Sequence, residues 1–220
     1  MTATVLRVTA TELPGEMTRA WLERAAADPL DRHPSRLPET LDFTAHAQTF
    51  LHTFHAAPPG TELGFPIVLE RGRLEFPQEL ASQSRYSAFH GGGRFVGTFH
   101  VHPADRPPFF DPQDLSSALR SDNAGFLELL LARDRLYALV RANPYLYISG
   151  HHVNRNPLLL SEPHAEAVRR LGPARGPAEP EWAEQYRRAS LYYFTRYHLA
   201  LYEGDPQSPL RRTITPTDRW

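Results

Sequence analysis

Residues 97–115 read GTFHVHPADRPPFFDPQDL, and this stretch decides how the rest of the chain is interpreted. An apolar strand ends in His100 and His102, a proline-rich loop follows, and Asp111-Pro112 begins a helix. Side chains two residues apart lie on the same face of a strand, so both imidazoles are predicted to face one side. Asp114, in the first turn of the helix, would return a carboxylate toward them.

Apolar periodicity on either side of this stretch predicts a sheet with helices on its faces. Proline, glycine and aspartate punctuate the chain between the apolar segments, which marks the turns. The expected helices are 16–26, a second one carrying Phe43 to Phe54, and 111–120. The expected strands are 4–8, 63–70, 73–76, 94–101, 126–132, 136–141 and 145–149, with a tight turn at Arg71-Gly72.

The last quarter of the chain has a helical pattern of apolar residues in place of the strand pattern before it. A helix is predicted over 161–171, a Pro/Gly linker over 172–180, and a long amphipathic helix over 181–201. That helix would either pack on the sheet or offer a tyrosine-rich face to a partner or to a second copy of the chain. The pattern therefore predicts two parts, a sheet domain over 1–158 and a helical C-terminal extension over 159–220.

Composition narrows the class of protein. With 220 residues, 41% hydrophobic residues and a net charge of -1, the chain is expected to be one globular domain with a small appendage. The balanced charge argues against nucleic acid as a partner. No apolar run approaches the roughly 20 residues that span a bilayer, and no signal peptide is apparent, so no membrane association and a cytoplasmic location are expected.

Two residue types are missing, and both absences limit the chemistry. The chain has no cysteine, which excludes disulfides, thiolate metal ligands and cysteine nucleophiles. It also has no lysine, since all 24 basic residues counted as Lys+Arg are arginine. Codon bias is a sufficient explanation for the missing lysine. Because no thiol is available as a nucleophile, any peptidase centre here is expected to use water activated on a metal held by histidine and carboxylate ligands.

Two imidazoles and one carboxylate make a donor set typical of catalytic zinc. Catalytic sites use three protein ligands and leave a fourth position for water, whereas structural sites are closed by four. His100, His102 and Asp114 would fill these roles. A His-x-His pair often binds no metal, and helix capping also explains Asp111 and Asp114. The interpretation that these residues form no metal site therefore stays open. His52 and His55, spaced as on a helix, are weaker candidates.

The same residues resemble a known family. His100-Val-His102-Pro103, the loop, and Asp111-Pro-Gln-Asp114 resemble the signature of the JAMM metalloproteases, also called MPN+ or JAB domains. The resemblance extends from Glu62 to about Val140. It implies a deaminase-like α/β fold and one Zn2+ held by the two histidines and Asp114. It also implies that Glu62 is the glutamate that takes a proton from the zinc-bound water.

Asp111 departs from that family pattern. The family has a serine at this position, which donates a hydrogen bond to the oxygen of the tetrahedral intermediate. An ionised Asp111 cannot donate and would repel an oxyanion, so it either caps the helix, is protonated, or weakens hydrolysis. Glu70 and Glu75 remain rivals of Glu62 for the role of base.

Three functions follow as hypotheses. The first is a zinc-dependent metallopeptidase or isopeptidase that cleaves an amide bond of a peptide or of a ubiquitin-like or sulfur-carrier protein conjugate. The alternative is a non-catalytic MPN-like interaction module, favoured by Asp111 in place of the serine. The third is zinc-dependent hydrolysis of a small-molecule or nucleotide-linked amide.

Overall fold

The computed structural model describes residues 14–77, 94–104, 108–111, 114–115, 118, 125–142, 187 and 197–216. Its centre is one sheet of eight strands in the order β1-β8-β7-β6-β5-β4-β2-β3. The two α-helices among these residues are α1 (Glu16–Ala27) and α2 (Ala47–Ala56). The strands are β1 (Thr40–Leu41), β2 (Leu63–Glu70), β3 (Arg73–Glu75), β4 (Arg94–His102), β5 (Leu127–Ala132), β6 (Arg135–Arg141), β7 (Leu199–Gly204) and β8 (Leu210–Ile214).

The sheet is mixed because one pair of neighbours, β4 and β5, runs parallel. All the other paired strands are antiparallel. A parallel pair needs a crossover, and the connection from β4 to β5 is the segment that contains Asp114. In the register of this pair, His100 lies beside Leu130 and His102 beside Ala132. The crossover thus brings Asp114 back over the end of the strand that carries the two histidines.

Both α-helices contribute to the larger apolar core on one face of the sheet. Trp21 of α1 meets the ring of Phe126 edge-on, and Phe50 of α2 packs on Phe99 of β4 at 4.5 Å between centroids. All four rings are almost completely buried. Burying aromatic rings of this size supplies much of the driving force that fixes the helices on the sheet.

The opposite face carries a smaller apolar cluster and the two histidines. Phe109 and Phe110, from the crossover, pack against Tyr137 of β6 in edge-on contacts. Leu130, Leu139, Leu199 and Leu201 belong to the same cluster. Alternation along β4 sends Phe99 and Val101 to the first face, so His100 and His102 point to the second.

Several predicted elements are confirmed. The first helix, the β2–β3 hairpin and the strands β4, β5 and β6 lie within one or two residues of their expected bounds. The second helix is also present, but it begins at Ala47, four residues after the predicted Phe43. In the hairpin, Arg71 and Gly72 both have positive φ values, 49° and 77°. This is the backbone of the two-residue turns that suit the twist of a hairpin, and glycine adopts it without steric cost.

The predicted fold class is wrong. In place of a helix-flanked deaminase-like sheet with a C-terminal helical extension, the described residues form an eight-stranded mixed sheet with two short α-helices. The amphipathic helix expected to reach Leu201 gives way to strand β7 at Leu199–Gly204. Leu199 and Leu201 face one cluster while Ala200 and Tyr202 face the other. A strand buried on both faces is a continuous apolar run, whose period cannot be distinguished from a buried helix.

Strands β7 and β8 belong to the same sheet as β4 and β5, although they come from the predicted C-terminal extension. The boundary expected between 158 and 159 lies outside the described residues. The same holds for the predicted strands 4–8 and 145–149, the helix 161–171 and the linker 172–180. Within the part of the chain that is described, no helix has the length and apolarity needed to cross a bilayer.

Candidate metal centre

His100 and His102 lie at the end of β4 and face the second side of the sheet. The side chain of His100 is 14% exposed, and that of His102 is fully buried. Gly64 of β2 lies opposite His100 in the strand register. A Cβ atom at Gly64 would lie 3.2 Å from the Cβ of His100, so glycine leaves the room in which this imidazole sits.

Asp114 joins the two histidines from the crossover. Its Oδ1 lies 3.2 Å from Nε2 of His100, and its Oδ2 lies 3.5 Å from Nε2 of His102. The backbone explains why Asp114 is held here. The Asp111 amide donates to Oδ2 of Asp114 at 2.8 Å, and the Asp114 amide donates to Oδ1 of Asp111 at 3.0 Å. This reciprocal capping box fixes the start of the helical turn and the direction of the Asp114 carboxylate.

The electrostatics of the cluster favour a positive charge between the three side chains. Burial alone lowers the pKa of His100, but the charge and hydrogen bond of Asp114 outweigh it and raise that pKa to about 9. Burial likewise raises the pKa of Asp114, yet His100 and His102 outweigh this effect and hold it below 3.8. The Asp114 carboxylate is therefore ionised, and its negative charge stabilises a neighbouring cation.

The three side chains can hold a metal ion. Their ligand atoms all lie within 4.8 Å of one another. Metal–ligand distances of about 2.0–2.2 Å and a tetrahedral angle separate neighbouring donor atoms by about 3.3–3.6 Å. The nitrogen–oxygen distances, 3.2 Å from His100 to Oδ1 and 3.5 Å from His102 to Oδ2, involve the two oxygens of one carboxylate, and both are close to this separation. The predicted set His100, His102 and Asp114 is thus brought together in a geometry that fits a metal ion.

Glu62 lies beside this cluster. It immediately precedes β2, and its Oε1 lies 3.6 Å from Nε2 of His102. With 31% of its side chain exposed, its carboxylate contacts both the cluster and solvent. The two rival glutamates lie elsewhere. The length of β2, about 26 Å at roughly 3.3 Å per residue, separates Glu70 from Glu62. Glu75 pairs with Val68, toward the same distant end.

Asp111 occupies the position of the serine in the JAMM pattern, and its carboxylate is used in the helix cap. Oδ1 of Asp111 accepts a hydrogen bond from the Asp114 amide, as a capping side chain does. Of the three interpretations that the sequence left open for Asp111, the geometry accords with helix capping.

Glu128 is a further acidic residue close to the cluster, and the sequence interpretation missed it. It lies on β5 next to Thr98 of β4, is 6% exposed, and accepts a hydrogen bond from the Thr98 hydroxyl. A usable signal was present in the sequence. Glu128 is the one charged residue in the apolar run Leu127–Ala132, and carboxylates inside such runs are rarely buried without partners.

Comparison with protein-family models, with curated proteins and with solved structures gives no match to this chain. What these residues do chemically therefore rests on the geometry of His100, His102 and Asp114, a group that could hold a metal ion.

Proposed function

We propose that this protein is a zinc-dependent hydrolase of amide bonds, of the metallopeptidase or isopeptidase type. The observation that carries the proposal is the convergence of His100, His102 and Asp114, whose ligand atoms lie within 4.8 Å of one another, with Glu62 alongside. Three protein ligands leave a fourth position, as catalytic zinc requires. The JAMM resemblance adds the substrate class, a peptide or a ubiquitin-like or sulfur-carrier protein conjugate.

The division of labour follows from where each group lies. Bound zinc supplies a Lewis acid and lowers the pKa of a coordinated water toward ~7. Asp114 and the two histidines would hold the ion, and the capping box fixes the Asp114 carboxylate. Glu62, partly exposed and 3.6 Å from His102, accepts the proton of the attacking water and passes it to the leaving amine.

Replacing Glu62 by glutamine tests the proposal. The variant Glu62→Gln keeps the size of the side chain but cannot accept a proton, so hydrolysis is expected to fall by about 10²–10⁴-fold. Zinc content is expected to stay at one ion per chain, because Glu62 is not among the three ligands. The measurements are elemental analysis of the purified protein and cleavage of fluorogenic peptide amides and ubiquitin-like protein conjugates.

Glu70→Gln is the matched control, since it makes the same conservative substitution at the far end of β2. It should hydrolyse at the wild-type rate. Equal rates for Glu62→Gln and the wild type would contradict the role of Glu62. A wild-type protein that cannot take up zinc would end the proposal altogether.

A second candidate is a metal-binding interaction module without hydrolytic activity. The specific observation in its favour is Asp111, whose carboxylate caps the helix where the JAMM pattern has a hydrogen-bond donor. A negative charge close to the developing oxyanion would oppose hydrolysis.

The variant Asp111→Ser separates the two candidates. Serine is also a good N-cap, so the helical turn is retained while a hydroxyl donor replaces the carboxylate. For a working hydrolase, we expect the rate to rise by up to about 100-fold, since one oxyanion donor contributes that much. Rates on the same peptide amides provide the measurement. Bound zinc without hydrolysis in either protein favours the interaction module.

A further inference from the structure

We propose that Glu128 is a positioning residue for the metal centre, held by Thr98, and that it strengthens the binding of a divalent cation by His100 and Asp114. This inference rests on the proposed metal centre. It adds a carboxylate outside the ligand set that determines how tightly the metal is held.

The first support is the placement of Glu128. In the parallel pair, Thr98 lies beside Glu128, and His100 lies beside Leu130 two residues further on. Leu130 belongs to the cluster on the second face, so alternation sends Glu128 to the face that carries His100. Glu128 is thus a diagonal neighbour of His100 on this face, one strand across and two residues along. A cation held by His100 is therefore within its electrostatic reach.

The second support is that this buried carboxylate is built into a network. The Thr98 hydroxyl donates a hydrogen bond to Oε2 of Glu128, which fixes the carboxylate against β4. Arg141 on β6 is 8% exposed, and burial lowers its pKa while the charge of Glu128 raises it. An ionised carboxylate buried to this degree costs several kcal/mol unless a hydrogen bond and a positive charge offset the cost. The Thr98 hydroxyl supplies the hydrogen bond, and the charges of Arg141 and Glu128 act on each other.

The third support is the pair of backbone carbonyl oxygens that accept hydrogen bonds from Arg141. Its guanidinium donates to the carbonyl oxygens of Gly125 at 2.9 Å and of Ala118 at 3.5 Å. These carbonyls flank the part of the crossover that leads from the Asp114 turn into β5. Thr98, Glu128 and Arg141 thus connect the strand of the histidines with the segment that delivers Asp114. The network is placed to set the separation between imidazole and carboxylate ligands.

The experiment compares metal binding by the full chain and by Glu128→Gln. Glutamine preserves the volume and can still accept from Thr98, but it removes the negative charge. We expect the Zn2+ dissociation constant, measured by chelator competition, to rise by about 10–100-fold, as is usual for groups that support metal ligands. The visible absorption of the Co2+-loaded protein should also shift, because the ligand field changes. Circular dichroism should show an unchanged fold.

Glu203→Gln is the matched control. Glu203 lies on the same face, is 9% exposed, and pairs with Arg187 at 2.5 Å. The registers Glu203–Tyr137, Tyr137–Leu130 and Leu130–His100 place it three strands away, about 14 Å at roughly 4.8 Å per strand. Its loss should leave Zn2+ affinity and the Co2+ spectrum unchanged.

Each outcome decides one question. Wild-type affinity and spectrum in Glu128→Gln would overturn the inference while leaving the metal centre intact. A wild-type protein without zinc affinity would overturn the proposed function, and this inference with it. If Glu128→Gln fails to fold, Glu128→Leu decides the matter, because it removes the charge and places an apolar side chain of similar volume in an apolar strand. Unchanged Zn2+ affinity in Glu128→Leu would then overturn the inference, and a weakened affinity would support it.

Discussion

Replacing His100 by alanine is expected to weaken zinc binding by more than about 100-fold, which exceeds the usual effect of a group outside the ligand set. The variant leaves His102 and Asp114 as two ligands, too few to hold zinc against competing water and chelators. The loss should also appear in stability. A ligand at 100 times its dissociation constant stabilises the folded state by about 2.7 kcal/mol, so zinc should raise the melting temperature of the wild type but not of the variant.

The control for His100→Ala is His52→Ala. His52 is an exposed histidine on α2, away from the second face of the sheet. The variant His52→Ala should bind one zinc per chain and show the same zinc-dependent rise in melting temperature as the wild type. Elemental analysis and thermal unfolding with and without zinc provide both readouts. Full zinc affinity in His100→Ala would show that the metal, if bound, is held elsewhere.

Replacing Gly97 by alanine is expected to destabilise the whole protein by at least about 3 kcal/mol. Gly97 lies beside Leu127 in the parallel pair, next to a register shift in the pairing of β2 with β4. A Cβ atom at Gly97 would overlap the carbonyl oxygen of Leu127, and backbone cannot move aside as a side chain does. The two central strands would have to separate, one residue before Thr98 and three before His100. Urea unfolding monitored by circular dichroism measures the loss.

Gly204→Ala is the matched comparison, because its nearest contact is a side-chain atom. A Cβ at Gly204 would lie 3.2 Å from Cδ2 of Leu210, which can shift by a few tenths of an ångström. We expect a change within about 1 kcal/mol. Equal unfolding midpoints for Gly97→Ala and Gly204→Ala would contradict the close approach of β4 and β5.

The candidate centre could be predicted because each of its parts depends on local sequence. The period of two along β4 places His100 and His102 on one face, and Asp111-Pro112 marks the helix start that carries Asp114. Glu62 needed the β2–β4 register, which the sequence alone does not specify. The structure brings Glu62 to 3.6 Å from His102, and its catalytic role stays a prediction.

The fold class could not be predicted, because its decisive feature depends on long-range pairing. The first four residues of β7, 199–202, are buried on both faces, so they show neither clear alternation nor a clear helical stripe. The tyrosines before it continue a helical period, which extended the predicted helix into β7. Glu128 was missed for a related reason. Its partners Thr98 and Arg141 lie on neighbouring strands and become visible only once β4, β5 and β6 are aligned.

The β1–β8 edge has a consequence for how the protein is made. Thr40 pairs with Arg211, and Arg212 donates to the carbonyl of Leu37, 175 positions earlier in the chain. During synthesis, β1 therefore has no partner until nearly the whole sheet has been translated. Such distant contacts slow folding and leave strand edges exposed in the meantime. Nascent chains that stop after β6 should depend on chaperones, whereas chains that include β8 can complete the sheet.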